Sequence, residues 1–182
     1  IIDGSKGLRK GIEETFGSKA FFQRCQWHKR ENVVSHLPEK HRDYFRNKMQ
    51  AAYNKQQYIT AKRSLLTIEK ELKWHNQSAA HSLLEGLEET LTLHRLNLFA
   101  KLGTSLKTTN PIENVNRLLE NVIGKVCHWK NSNQRQRWVA SAALELEPRL
   151  RKIKGHPFLG ELRSKMRAIT RNKDLNVLSG AA

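Results

Sequence analysis

Cysteine is nearly absent: Cys25 and Cys127 are the only two in 182 residues. Two thiols cannot build a disulfide framework, so an intracellular, reducing setting is expected. Long apolar runs are missing too. No window of about 18 residues is continuously hydrophobic, which excludes a membrane-spanning helix from the expectations. Residues 1–20 contain no apolar run with a cleavage site. There is no internal repeat and no low-complexity segment. An initiator methionine is also lacking. The text opens Ile1-Ile2-Asp3-Gly4, which reads as the tail of a strand entering a turn, so a portion of a longer protein is expected. Acidic residues are in deficit, with 17 Asp and Glu against 33 Lys and Arg, for a net charge of +16. Such a surplus favours an anionic partner, most often nucleic acid. An idle basic surface is the plainer alternative.

The surplus is unevenly placed. Residues 58–100 are balanced, whereas residues 121–173 carry ten more cations than anions. The apolar pattern divides the chain similarly. Leu8, Ile12 and Phe16 recur every four residues, predicting a helix closed by Gly17. Residues 20–28, AFFQRCQWH, read as a strand. A strand–helix–strand opening is an α/β signature. Val33, Val34 and Leu37 then mark a short helix before Pro38. Tyr44, Phe45, Met49, Ala52 and Tyr53 mark another, and Tyr58, Ala61, Leu65, Ile68 and Leu72 a third. Asn76 caps a fourth, carrying Ala80, Leu84, Leu87, Leu91 and His94. Gly103 and Thr104 break the pattern. Trp138, Ala142 and Leu146 define a later helix that assigns Trp138 to the core, and a last basic helix spans about 156–170. The expected division is residues 1–37 as the α/β opening, 38–100 as an all-helical block, 101–170 as a basic helical part, and 171–182 as a frayed tail.

The stretch Lys107-Thr-Thr-Asn-Pro-Ile-Glu-Asn-Val-Asn116 has two readings. With Asn110 as N-cap, Pro111 takes the first helical position and Glu113 completes a capping box. The other reading is a metal site. Glu113, Asn116 and Arg117 share a polar helical face, and a carboxylate beside Asn and Arg suits a divalent cation and a phosphate. Asp3 is a plausible companion carboxylate, if the fold closes the gap. Arg117 is a phosphate clamp or a solvated surface residue. Cys25-x-x-His28 has the spacing of half a zinc site, but the other Cys–His pair, Cys127-His128, is adjacent in sequence, so no zinc site is expected.

Four stretches in order carry a resemblance: Asp3-Gly-Ser-Lys-Gly-Leu8, Gln23-Arg-Cys-Gln-Trp-His28, Gly86-Leu-Glu-Glu-Thr-Leu91 and Leu106 to Asn116. Together they resemble the Mutator-type transposases of bacterial insertion sequences, over most of residues 1–170. The resemblance implies an α/β, mostly helical stretch of an RNase H-like fold, with the all-α block inserted between the second catalytic Asp and the Glu. It matches Asp3 to the second Asp, Glu113 to the third acid, and Cys25 and His28 to a Cys-x-x-His signature. The first Asp would precede Ile1, so this stretch is expected to be inactive by itself. The implied chemistry is cleavage and strand transfer at transposon ends, with a two-metal Mg²⁺ (or Mn²⁺) site. The implied partners are the terminal inverted repeats, target DNA and further copies of the protein, in the bacterial cytoplasm at the nucleoid. Asn110 would belong to the signature around Glu113, and Asn116 would orient Glu113 or touch a backbone phosphate, while Arg117, Lys125, Lys130, Arg135 and Arg137 would track the DNA backbone, and Trp129 would stack an unpaired base. The rival expectation is a non-catalytic helical nucleic-acid-binding module.

Overall fold

The computed structural model describes residues 1–17, 20–126 and 128–179, with side chains as far as Arg171. The chain is mostly helical. Among the described residues there is no sheet, only one isolated parallel bridge between Ile2 and Arg24. The α/β expectation is thereby corrected. The strand expected over residues 20–28 shrinks to that bridge, because a helix already begins at Gln26 (α2, Gln26–Ser35). Gln26, Lys29 and Val33 lie on its buried face at helical spacing. Two of those three are polar, which concealed the period.

Between the bridge partners runs α1 (Lys6–Phe16), where the Ser5 side chain accepts a hydrogen bond from the Leu8 amide. Gly17 ends it at φ 53°, a left-handed conformation that glycine adopts without steric cost. The expected apolar stripe is present but not buried. Leu8 is 51% and Phe16 59% exposed.

The main core is a bundle. α2 packs on α3 (Glu39–Tyr53), α3 on α4 (Tyr58–His75), and α4 on α5 (Gln77–Leu84), which returns to α2. Val33, Leu37, Phe45, Met49, Leu65, Leu72 and Leu83 are withdrawn from water at its centre. Each such side chain contributes roughly 1.5–3 kcal/mol by burial. Asn76 caps α5 as expected, its Oδ1 accepting from Ala79 N at 3.0 Å. The fourth helix does not continue to His94. It stops at Leu84, turns at Gly86 (φ 66°), and gives way to two short helices, α6 (Leu87–Thr90) and α7 (Thr92–Arg95). Leu83, rather than Leu84, faces the core.

A second cluster of Leu93, Leu96, Leu98, Phe99 and Leu102 is flanked by Leu106, Leu162 and Ile169. It joins α8 (Phe99–Leu106) to the final helix α11 (Leu159–Ser179). Gly103 does not break α8. A Cβ there would lie 2.9 Å from the Phe99 ring, so glycine serves close packing rather than helix termination. α11 runs on to Ser179, past the expected boundary at 170; of the tail, residues 180–182 lie outside the described residues. Between α8 and α11 stands a hairpin of α9 (Asn110–Ile123) on α10 (Ser132–Leu146). α9 has no buried residue, and α10 buries only Ala142 and Leu146.

Candidate active site

Residues 23–26 form a junction for distant parts of the chain. Ile2 N donates to Gln23 O at 3.0 Å, and Cys25 N donates back to Ile2 O at 2.8 Å. Arg24 N donates to Glu89 O, and Gln26 N to Lys107 O, both at 2.9 Å. The side chains reinforce these ties. Gln23 Nε2 donates to Thr90 O at 2.8 Å and its Oε1 accepts from Leu93 N at 3.0 Å, while Gln26 Nε2 also reaches Thr90 O at 2.9 Å. Both glutamines are buried, so these bonds satisfy backbone groups that would otherwise be costly to desolvate. The four sequence stretches that carry the resemblance therefore meet at one place.

Arg24 is the pin of that junction. It is 6% exposed, with Nη1 donating to Glu85 O at 3.1 Å and Nη2 to Glu85 Oε2 at 3.3 Å. Gly4 (φ 108°) and Gly86 (φ 66°) flank its guanidinium. A Cβ would lie 2.7 Å from Nη2 at Gly4 and 2.5 Å from Nη1 at Gly86. Both positions favour glycine for the backbone angle, and a Cβ at either would also push the Arg24 guanidinium from its place. Beside Arg24, the fully buried Lys29 donates to Ser82 O and lies 3.3 Å from Glu85 Oε2. Burial, with Arg24 acting in the same direction and Glu85 opposing, lowers its pKa to about 8.

Glu113 is linked to Cys25 through Thr109 and His28. Thr109, not Asn110, precedes α9 as its N-cap residue and its side chain makes no capping bond, so the expected capping box of Asn110 and Glu113 is corrected: it does not form. Asn110 is exposed at the first helical position. The Thr109 hydroxyl donates to Glu113 Oε1. Its oxygen lies 3.4 Å from Cys25 Sγ and 3.3 Å from His28 Nδ1. Cys25 Sγ and His28 Nδ1 are 3.2 Å apart, and His28 Nε2 faces Glu113 Oε1 at 3.9 Å. Cys25 is wholly buried, whereas about half of the Glu113 side chain is exposed. Asp3 is exposed, and its Oδ1 accepts from Ser5 N at 2.9 Å ahead of α1.

Thr109 is the site residue that sequence reasoning missed. Its signal was a hydroxyl four residues before an acid, one helical turn away. Gly4 and Gly86 lay within the recognised stretches, but their use as a cradle for Arg24 was not visible there.

The basic candidates lie along the hairpin. Asn116 and Arg117 are exposed on α9, and Arg117 Nη2 donates to Asn114 Oδ1 at 2.9 Å. Lys125, Lys130, Arg135 and Arg137 are exposed beyond it. The Asn131 side chain caps α10 by accepting from Gln134 N at 2.9 Å. Trp138 is 46% exposed, which corrects its assignment to the core. Trp129 is half-buried, edge-on to Trp138 at 6.3 Å. An open groove of about 500 Å³ lies along α10 between Gln134, Arg137, Trp138 and Ser141.

Among the described residues no three His, Cys, Asp or Glu side chains gather closely enough to hold a metal ion. Cys127, considered as a zinc ligand, lies outside the described residues. Asp3 and Glu113 offer hard carboxylate oxygens at exposed positions, a donor type that suits Mg²⁺, although two carboxylates are not a complete set. No helix among the described residues is long and apolar enough to cross a membrane.

A helical, basic domain with Glu113 in the first turn of α9 and a glycine-cradled arginine at its junction is thus defined by that junction rather than by a sheet. Residues 1–150 match the family model described as transposase, Mutator family, and the chain belongs to that family. Its members are DNA-acting enzymes, with DNA as the partner. No curated protein and no solved structure matches the chain.

Proposed function

We propose that this chain is a catalytic portion of a DNA transposase that cuts and joins DNA at transposon ends. Asp3 and Glu113 would hold Mg²⁺ or Mn²⁺ with a further aspartate from outside residues 1–182, so the segment alone would be inactive. One observation supports this above the others. The backbone amide of Cys25 holds the carbonyl preceding Asp3, and the Cys25 thiol touches the threonine that holds Glu113. Two acids remote in sequence are thus each linked to one buried residue, Asp3 through the adjoining Ile2 carbonyl and Glu113 through Thr109. The parallel Ile2–Arg24 bridge, with α1 between its partners, has the sense of a parallel crossover connection and supports the reading as part of an RNase H-like fold.

Metal bound at the acids would supply Lewis-acid activation of water or a 3′-hydroxyl and would stabilise the leaving oxygen. The chain's own residues bind and orient. Arg117, Lys125, Lys130, Arg135 and Arg137 neutralise phosphates along the hairpin. Trp129 and Trp138 offer ring surface for an unpaired base at a cut end. Further copies of the protein would pair the two transposon ends.

A non-catalytic nucleic-acid-binding module is the second reading, favoured by the exposure of the basic hairpin. Glu113→Gln and Asp3→Asn, made in the transposase that carries this chain, separate the two. Cleavage and strand transfer should fall about 100-fold or more, with DNA affinity unchanged. Retained cleavage would leave only the binding module.

A further inference from the structure

We infer that Cys25, His28 and Thr109 form a relay that orients the Glu113 carboxylate: the Cys25 thiol sets the His28 tautomer, His28 turns its Nε2–H toward Glu113, and Thr109 donates to Glu113 directly, with Thr109 and His28 as positioning residues. The catalytic part of this inference rests on the proposed role of Glu113; the relay itself rests on geometry.

The proton inventory sets its direction. An ionised carboxylate only accepts, so the single Thr109 hydroxyl proton is committed to Glu113 Oε1. Thr109 Oγ1 is then limited to accepting in its approaches to Cys25 Sγ at 3.4 Å and His28 Nδ1 at 3.3 Å. Neutral imidazole has one N–H. With that proton on Nδ1, the bare Nε2 would direct its lone pair at Glu113 Oε1, 3.9 Å away. With it on Nε2, the N–H dipole faces the carboxylate, and Nδ1 accepts from the Cys25 thiol at 3.2 Å. The second arrangement gives the thiol an acceptor and turns an N–H toward the carboxylate, leaving only the 3.3 Å approach of Thr109 Oγ1 to Nδ1 without a proton. Glu113 Oε1 is then approached by donors from two directions, Thr109 on its own helix start and His28 on α2.

The support behind the relay is rigid. Cys25 is fully buried, and its amide is bonded to Ile2 O. Gln26 N is bonded to Lys107 O, which draws the start of α2 against the loop that leads into Thr109. The thiol therefore has a fixed place from which to hold the His28 ring, which remains part-exposed beside Glu113. The Cys-x-x-His spacing puts both side chains at the first turn of one helix, one at the cap and the other three residues on. This accounts for the pair without a metal between them. Sulfur and nitrogen are already in mutual contact.

Two measurements test it. Nitrogen-15 NMR of the 182-residue chain should find His28 as the Nε2–H tautomer at a pH where the ring is neutral, with that preference weakened by Cys25→Ala. A dominant Nδ1–H tautomer would overturn the relay. Within the intact transposase, Thr109→Ser keeps the hydroxyl and should keep strand transfer within about threefold, whereas the near-isosteric Thr109→Val should lower kcat about 10- to 100-fold with KM unchanged. Equal activity of Thr109→Val and the unmodified protein would refute the positioning role. Should Thr109→Val fail to fold, the tautomer of the unmodified chain decides the matter. If Glu113→Gln retains transfer, the catalytic reading fails separately, and the NMR result still judges the relay.

Discussion

Phe45, Met49, Leu65 and Leu72 in the α2–α5 bundle are fully withdrawn from water, whereas Ile112 on α9 is 54% exposed and Leu144 on α10 is 69% exposed. Both regions are amphipathic helices. The bundle closes on itself, since α5 returns to α2, while among the described residues the hairpin packs mainly on its own partner, with slighter contacts to α8 and, through Glu113, to His28 of α2. Their charges differ in the same sense. In the bundle Arg46 pairs with Glu31, Lys48 with Glu71, and Lys62 with Glu88 of the adjoining α6. On the hairpin Lys130, Arg135 and Arg137 are exposed, with no carboxylate partner among the described residues. One region pairs several of its cations with its own carboxylates and supports the structure. The other holds its cations toward solvent, where a polyanion can reach them.

The largest effect that would sharpen this contrast is in stability. Phe45→Ala should cost about 3–5 kcal/mol by opening a cavity. Ile112→Ala on the hairpin should cost under about 1 kcal/mol, since its side chain gains little from the fold. Urea denaturation of the two variants measures the difference, and equal costs would mean that the hairpin is as much core as the bundle.

A smaller effect concerns the buried cation between the bundle and the site. The Lys29 pKa, lowered from 10.5 to about 8, means that the folded chain releases this proton before the unfolded chain does. Between pH 8 and 10.5 the unfolded state therefore binds more protons, and stability from this group rises with pH. Below pH 8 the full cost of burying the ammonium is present. Compared with Lys29→Met across that window, the unmodified chain should gain stability on the order of 2 kcal/mol. A pH-independent difference would show that the ammonium remains effectively solvated.

The smallest effect per residue is electrostatic. Arg135→Ala and Arg137→Ala should each reduce the slope of log K against log salt for DNA by about one. Lys48→Ala and Lys62→Ala, which remove cations already paired, should leave the slope unchanged. Identical slopes for all four would erase the distinction between a structural and a DNA-facing surface.

The helical block was legible from its seams. Phe45, Met49, Leu65, Ile68 and Leu72 follow helical spacing, and each is buried where the pattern placed it. Strand 20–28 was misread because alternation over nine residues is a local signal, while the start of α2 at Gln26 depends on Lys107 O and Ile2 O arriving from elsewhere. The Leu8–Phe16 stripe predicted its helix but not its exposure. At α9, the choice between Asn110 and Thr109 as the cap turned on a one-residue shift that spacing cannot resolve.

The sequence by itself determined the helices of the bundle, the uneven charge and the family, because periodicity, composition and ordered motifs are properties of neighbouring residues. Only the tertiary structure decided which apolar faces are covered, why Gly4 and Gly86 are glycines, and that Cys25, His28 and Thr109 converge on Glu113. Those facts depend on contacts between residues tens of positions apart, and no local pattern encodes a distance across the fold.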